Sequence, residues 1–542
     1  MTDREELNAA PGKRKVIRWL MYAVVLLVVV LIVASIVVSR RVEPILRARV
    51  IDTLSTRFKS RVELGEFHVQ VLDGLEVKAS DVKLYPIAIE SDKPLFAIRH
   101  FAFHTSWSEL VRTPMHIQSV AVDGLDINLP PKDERKNIPR LDNGKRKLSI
   151  YVHEIDIDNA HLVLGTNKPG KIPLDFDISH LVLNSVGEDE GMKFQATLVN
   201  PKPVGDIATT GTFGPFNSES PRDSNVSGSY EFSNADLSTI KGIGGILSSK
   251  GQYSGELNRI VVDGYTDTPD FQVSTSGQKL PLHTKFHAIV DGTSGDTYLQ
   301  PVDAMLLHSH ILASGSVVRP ADGKGHHILL DVLVDKARIE DLLKVAIRTD
   351  PPVMTGAVRM KTKLDLPPSE LPVAQRLRLA GTFDVTGAHF TREEVQKKID
   401  SLSLRSQGKP EEATDDIPDN VQSRMMGNFT LLNSKLTLTG LKYTVPGLIV
   451  QMDGVYSLDG NEFDFHGKAR MDAKLSQMTT GWKSLLLKPV DPLFAKNGAG
   501  TEVPIKVTGT RSEPKFGLDF GYKGASGAAK NEESHDSKQN RN

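Results

Sequence analysis

The chain has 542 residues, of which 39% are hydrophobic, 25% charged and 6% aromatic, with 43 Gly and 30 Pro. Near-average Gly and Pro usage excludes a collagen-like or low-complexity chain. The balance of 66 basic against 67 acidic residues argues against nucleic acid as a partner, because phosphate neutralisation needs a basic excess. Cys is absent, which removes disulfides, thiolate metal sites and cysteine nucleophiles.

The first predicted element is a transmembrane helix over residues 20–38. Leu20 to Val38 is a run of 19 uncharged residues, 14 of them Leu, Ile or Val. At ~1.5 Å per residue the run is about 28 Å long, enough for a hydrocarbon core of roughly 30 Å. Ser39-Arg40-Arg41 follows it, instead of the small residues of a signal-peptide cleavage site. Five basic residues precede the run within residues 1–19 and five follow it within residues 39–58, so charge does not orient it. An amphipathic juxtamembrane helix is expected over 44–60, opened by Pro44 and carrying Leu46, Val50, Leu54 and Phe58 at fourfold spacing.

From residue 61 onward the dominant period is two. Phe67, Val69 and Val71 alternate with polar residues, and so do Val120 and Val122, Ile155 and Ile157, Phe383 and Val385, and Phe463 and Phe465. Successive strand residues face opposite ways, so each segment has one apolar and one polar face. Asp-Gly or Asn-Gly pairs at 73, 123, 143, 263, 291, 322, 453, 459 and 497 suit two-residue hairpin turns. An internal repeat aligns Ile117, Val120, Val122, Leu125, Ile127 and Leu129 with Val152, Ile155, Ile157, Ala160, Leu162 and Leu164 at an offset of 35. Phe383-x-Val385-Thr-Gly-Ala388-x-Phe390 repeats its central part. The unit reads as strand, turn, strand, and its recurrence predicts one ladder of on the order of 25–40 strands over residues 61–522.

Three amphipathic helices interrupt the strands. Asp335 is the expected cap of a helix with Ile339, Leu342, Leu343, Ala346 and Ile347 on one stripe, ended by Asp350-Pro351-Pro352. Thr391 and Glu394 form an expected capping box ahead of Val395, Ile399 and Leu402. Ser476 opens a third, carrying Met478, Trp482, Leu485 and Leu486. Each is expected to pack on the sheet, and residues 523–542 have the composition of a disordered tail.

No nucleophile elbow, HExxH zinc motif, P-loop or dinucleotide fingerprint is present. His283 with His287, and His308 with His310, share strand faces but lack a third ligand at local spacing, so no metal site and no cofactor are assigned. Asp156, Asp158, Asp175 and Asp177 read as the polar face of strands, not as a catalytic carboxylate pair. No catalytic residue is assigned, and the chain is not read as an enzyme.

Three phrases carry a family resemblance. The first runs from Pro44-Ile45-Leu46 through Arg61-Val62-Glu63-Leu64-Gly65, Leu72-Asp73-Gly74-Leu75 and Asp81-Val82-Lys83-Leu84. The second is the repeated phrase around Val120–Leu129 and Ile155–Leu164, and the third runs from Pro489-Val490-Asp491-Pro492-Leu493-Phe494 through Pro504-Ile505-Lys506-Val507-Thr508-Gly509-Thr510 to Pro514-Lys515-Phe516. Together they resemble the AsmA-like family of bacterial envelope proteins, relatives of TamB and the bridge-like lipid transfer proteins.

That resemblance implies a mostly β fold: a single N-terminal transmembrane helix, then an elongated, curled antiparallel sheet forming a taco-like groove, with few helices. It implies a cytoplasmic tail at 1–19, an inner-membrane anchor and a periplasmic domain at 61–522. The partners it implies are phospholipid and the inner membrane, with outer-membrane or periplasmic proteins as further candidates. The expected function is shielding of phospholipid acyl chains, in support of lipid transport or outer-membrane homeostasis. The competing expectation is a non-enzymatic adaptor that assists outer-membrane protein assembly. The groove-lining candidates are Phe67, Val69, Val71, Val120, Val122, Ile155, Ile157, Phe383, Val385, Phe463 and Phe465.

Overall fold

The computed structural model describes residues 43–521 apart from 53, 57–58, 72–73, 88–92, 111, 113–114, 132–149, 167–172, 188–190, 216–219, 321–324, 349, 414–420, 459–460, 481–487, 490, 495–499, 511–512 and 520. The expected transmembrane run, both terminal tails, and Trp482, Leu485 and Leu486 lie outside the described residues. No helix among the described residues is long and apolar enough to cross a membrane. The described strands number 25 and belong to one sheet, with few helices. The chain divides into two compact units, one ending at Phe232 and the other starting at Ser233.

In the first unit, residues 43–52 are helical. Leu46 and Val50 pack against the core formed by Phe67, Val69, Val77, Ala79, Val82 and Leu84, while Arg47 donates to the carbonyls of Leu64 and Gly65 at 2.6 and 3.1 Å. The first half of the expected apolar stripe is therefore spent on the sheet, and Phe58 lies outside the described residues. Strands Ser60–Glu63 and Phe67–Gln70 both pair antiparallel with Leu75–Pro86. The ladder continues antiparallel through Phe96–Thr105 to Met115–Leu129.

The next step is parallel. Ile150–Leu164 lies beside Met115–Leu129 with Ile117 opposite Val152, Val120 opposite Ile155, Val122 opposite Ile157 and Leu129 opposite Leu164. The 35-residue offset of the internal repeat is thus a strand register, and the unit is not the expected hairpin. Asp123-Gly124 lies inside the first of these strands, not in a turn. Gly124 has φ +72° and Asn159, its counterpart 35 residues on, has φ +54°. Asn159 Nδ2 donates to Asp123 Oδ1 at 2.7 Å, tying the two left-handed positions together. Gly387, at the same place in the third copy of the phrase, has φ +64° and adjoins a register shift. Asp263-Gly264 and Asp453-Gly454 are also within strands, whereas Asp291-Gly292 follows a strand end as expected.

In the second unit, fourteen strands from Ile246–Glu256 to Pro514–Leu518 pair antiparallel in sequence order. Tight turns there are made by Leu307-His308 and by Asn433-Ser434, with Leu307, Asn433 and Ser434 at positive φ.

Two of the three expected helices form where periodicity places them, with different caps. Ile339–Ala346 is helical, but Asp335 lies in the preceding strand and pairs with Arg359 at 3.2 Å. The capping role passes to Ser309, whose hydroxyl accepts the Arg338 N–H at 2.9 Å. Glu393–Ser406 is helical without a Thr391–Glu394 box: Thr391 donates to the Pro352 carbonyl, and the Gln396 side chain accepts the Phe390 N–H. This helix is also turned from the expected face. Gln396, Asp400, Ser403 and Ser406 are buried, Ile399 packs on the core, and Val395 and Leu402 are exposed. Ser403 donates to the Pro446 carbonyl and the Ser406 carbonyl accepts the Ala473 N–H, so this face docks by hydrogen bonds. At the third site the described residues form a short 3-10 turn, Leu475–Met478, with the Ser476 hydroxyl donating to Asp491 at 2.6 Å, and the rest of the expected helix, residues 481–487, lies outside them.

A candidate apolar binding face

In the first unit, cross-strand register collects the predicted residues into two neighbouring rows. One row runs Val69, Val77, Phe103, Val120, Ile155, Leu183, Phe194. The other runs Phe67, Ala79, Phe101, Val122, Ile157, Leu181, Ala196. Six of the eleven candidates fall in these rows, and Val71 packs against the same cluster. The clusters around Val77 and around Val122 share Ile98, Phe101 and Phe103 as neighbours, so the apolar surface is continuous.

The second unit repeats this with three rows. Phe383 and Val385 lie on the face that carries Met360 and Val358 on one side and Gly427 and Met425 on the other. The row through Val385 runs Ala337, Val358, Val385, Met425, Tyr443, Val450, Ala469, Val503. Val385 is 1% exposed, and helix Ile339–Ala346 packs Ile339 and Leu342 onto its cluster. A row through Phe463 runs Leu330, Leu364, Leu379, Leu431, Leu436, Tyr456, Phe463. Between these two, Phe465 joins Phe429, Leu438, Gly454, Val507 and Phe516.

These rows differ in cover. Residues beside the helices are buried, whereas Leu330, Leu364, Leu379, Leu436, Leu438, Tyr456, Phe463 and Phe465 are only half-buried. Phe516, on the last described strand, is 77% exposed. The Phe463 and Phe465 rings lie 6.3 Å apart, and Phe465 occupies the space over Gly454, where an added Cβ would meet its ring at 2.3 Å. The candidates therefore separate: Phe67, Val69, Val120, Val122, Ile157 and Val385 are buried core, and Val71, Ile155, Phe383, Phe463 and Phe465 remain partly accessible. Sequence reasoning missed Leu364, Leu379, Leu431, Leu436 and Phe429, although each sits in the same period-two alternation.

The opposite face is charged and paired. Arg359 meets Asp335, Lys363 meets Asp331, and Arg424 grips Asp384 through Nε and Nη2, which holds that carboxyl below its usual range. Histidines sit against aspartates on neighbouring strands: His283 with Asp267, His287 with Asp263, His310 with Asp303 and His327 with Asp365, all within 2.8 Å. Asp156 and Asp158 face His180 at 3.4 and 2.8 Å, and hydrogen bonding to Asp158 raises the His180 pKa.

Fold and face together define a two-faced β-sheet protein, in which each unit carries an apolar face and a charged, ion-paired one. Comparison with protein-family models, with curated proteins and with solved structures returned no match.

Proposed function

We propose that this chain is a membrane-anchored envelope protein that shields phospholipid acyl chains in an apolar β groove and so supports lipid transport or outer-membrane homeostasis. The observation that carries the reading is the in-register set of half-buried apolar rows through Phe463 and Phe465. The apolar run Leu20–Val38 supports an inner-membrane anchor, and the AsmA-like phrases support a periplasmic β domain. Fourteen consecutive strands at ~4.8 Å spacing give a contour of about 60 Å, longer than one extended acyl chain. Each methylene kept from water is worth about 0.8 kcal/mol, so a 15-methylene chain gains about 12 kcal/mol from cover along its path. Movement is then passive partitioning from one site to the next on the same face, because no nucleotide motif supplies work.

The test is photo-crosslinking in cells with a benzophenone residue placed at Phe465, Phe463 or Ile155, and at Lys363 or Arg359 on the opposite face. Phospholipid adducts at the first three positions and not at the last two are the expected result, and Phe465→Glu should remove the adduct at Phe463. Polypeptide adducts without lipid would replace this reading with the adaptor one. The half-buried positions are used because Val122→Asp or Ile157→Asp would bury a charge in the core and unfold it.

A further inference from the structure

Glu109, His116 and His153 come together in the first unit from three separate elements. Glu109 is on the short helix Trp107–Leu110, His116 near the start of Met115–Leu129, and His153 near the start of Ile150–Leu164. The parallel register puts His116 opposite Tyr151, which makes His153 a same-face neighbour two residues on. One ligand atom from each of the three residues lies within 4.8 Å of the other two. His116 Nδ1 and Glu109 Oε2 are 3.5 Å apart, too far for a good hydrogen bond. Two ligands on one tetrahedral Zn²⁺, at ~2.0–2.1 Å from the metal, are separated by about 3.3 Å.

A second observation points to a ligand: His116 Nδ1 is buried and has no hydrogen-bond partner. A buried ring nitrogen left unsatisfied costs free energy unless something binds it. The surroundings restrict the ring without satisfying that atom. Tyr151 packs on both imidazoles, with ring centroids 5.0 Å from His116 and 5.0 Å from His153, and the imidazoles are 5.6 Å apart. Among the described residues, Arg112 is the one Arg or Lys paired with Glu109, its Nη1 at 3.1 Å from Oε2, which leaves the second carboxylate oxygen for another partner.

We propose that Glu109, His116 and His153 bind one divalent cation of the zinc class, with the fourth position open to solvent through exposed His153. Two imidazoles and one carboxylate suit borderline ions such as Zn²⁺ and Co²⁺ better than Ca²⁺ or Mg²⁺, which take oxygen ligands. The bound ion clamps the Trp107–Leu110 turn to the two parallel strands at the end where both begin. The other cluster of suitable groups, Asp156, Asp158 and His180, differs in that its histidine is already hydrogen-bonded to a carboxylate.

The experiment is titration of the purified full chain, stripped with chelator, with Zn²⁺ by calorimetry and with Co²⁺ by visible absorption. Wild type and His180→Ala should bind one ion with the bands of a tetrahedral or five-coordinate nitrogen–oxygen site. His153→Ala, which removes an exposed side chain and leaves the fold intact, should weaken binding by at least about 100-fold, since even outer-shell losses cost 10–100-fold. Glu109→Gln should do the same. Absence of binding by folded wild type would overturn the proposal, as would unchanged binding in His153→Ala and Glu109→Gln.

Discussion

Asp341 offers a sharp test of how the second unit is held. It is 3% exposed, in the first turn of helix Ile339–Ala346, and its Oδ2 accepts the His308 N–H at 3.1 Å and the Ser309 hydroxyl at 2.8 Å. Ser309 in turn accepts the Arg338 N–H, so one carboxylate joins a strand turn to a helix start. Asp341→Ala takes the acceptor from the part-buried His308 N–H and leaves the buried Ser309 hydroxyl only the Arg338 carbonyl at 3.5 Å, and a buried donor left poorly satisfied costs about 1–3 kcal/mol. It also removes a helix-start acid worth about 0.3–1 kcal/mol. The expected loss is about 1–4 kcal/mol. Asp341→Asn keeps one acceptor oxygen and should lose about half as much. Hydrogen exchange at the His308 amide reads this locally: each 1.4 kcal/mol of lost protection is about a tenfold faster exchange. Urea denaturation gives the global value. Asp341→Ala with His308 exchange unchanged and stability within about 0.5 kcal/mol of wild type would refute the linkage.

Ile157→Ala removes three buried carbons beside Val122 and Leu181 and should cost about 2–5 kcal/mol by urea denaturation, with half-buried Ile155→Ala costing clearly less. Equal losses would contradict the division into core and lining. Gly454→Val places a Cβ 2.3 Å from the Phe465 ring and 2.4 Å from the Asp464 carbonyl, and overpacking of this kind costs about 1–3 kcal/mol; Phe465→Ala in the same chain should recover part of that loss. Hydrogen bonding to Asp519 raises the His466 pKa, and His466 in return lowers that of Asp519. The contribution of the pair is present below the unfolded histidine value, is lost as pH rises through the raised folded value, and is lost at the acid end as pH falls through the lowered Asp519 value. An NMR titration of His466 should give a midpoint above 6.5, moved down by Asp519→Asn.

Alternation carried most of the fold, because a strand with one covered face writes its orientation into every second residue. That is why Val69, Val120 and Ile155, nominated separately, share one cross-strand row. Signals that depend on partners far along the chain were less legible. Asp-Gly suits a hairpin turn, yet at Asp123-Gly124 the same freedom serves a left-handed residue inside a strand, matched by Asn159. The sequence shows the stripe Val395–Ile399–Leu402, but the side carrying Gln396, Asp400, Ser403 and Ser406 turns inward, where the Ser403 hydroxyl donates to the Pro446 carbonyl and the Ser406 carbonyl accepts the Ala473 N–H. Glu109, His116 and His153 have no local spacing to detect, because the parallel register that unites them is itself a tertiary feature.

That register has a consequence for how such a protein lengthens. A hairpin duplication adds strands in pairs and reuses two turns. A 35-residue shift that sets Val120 beside Ile155 and Val122 beside Ile157 adds a single strand, keeps every side chain on its original face, and matches the left-handed kink of Gly124 with that of Asn159. The chain returns between residues 129 and 150 to begin the next strand at the same end. Tandem copying of one such unit is therefore an incremental growth step, in which reach becomes a heritable quantity that changes by about one strand width of ~4.8 Å at a time.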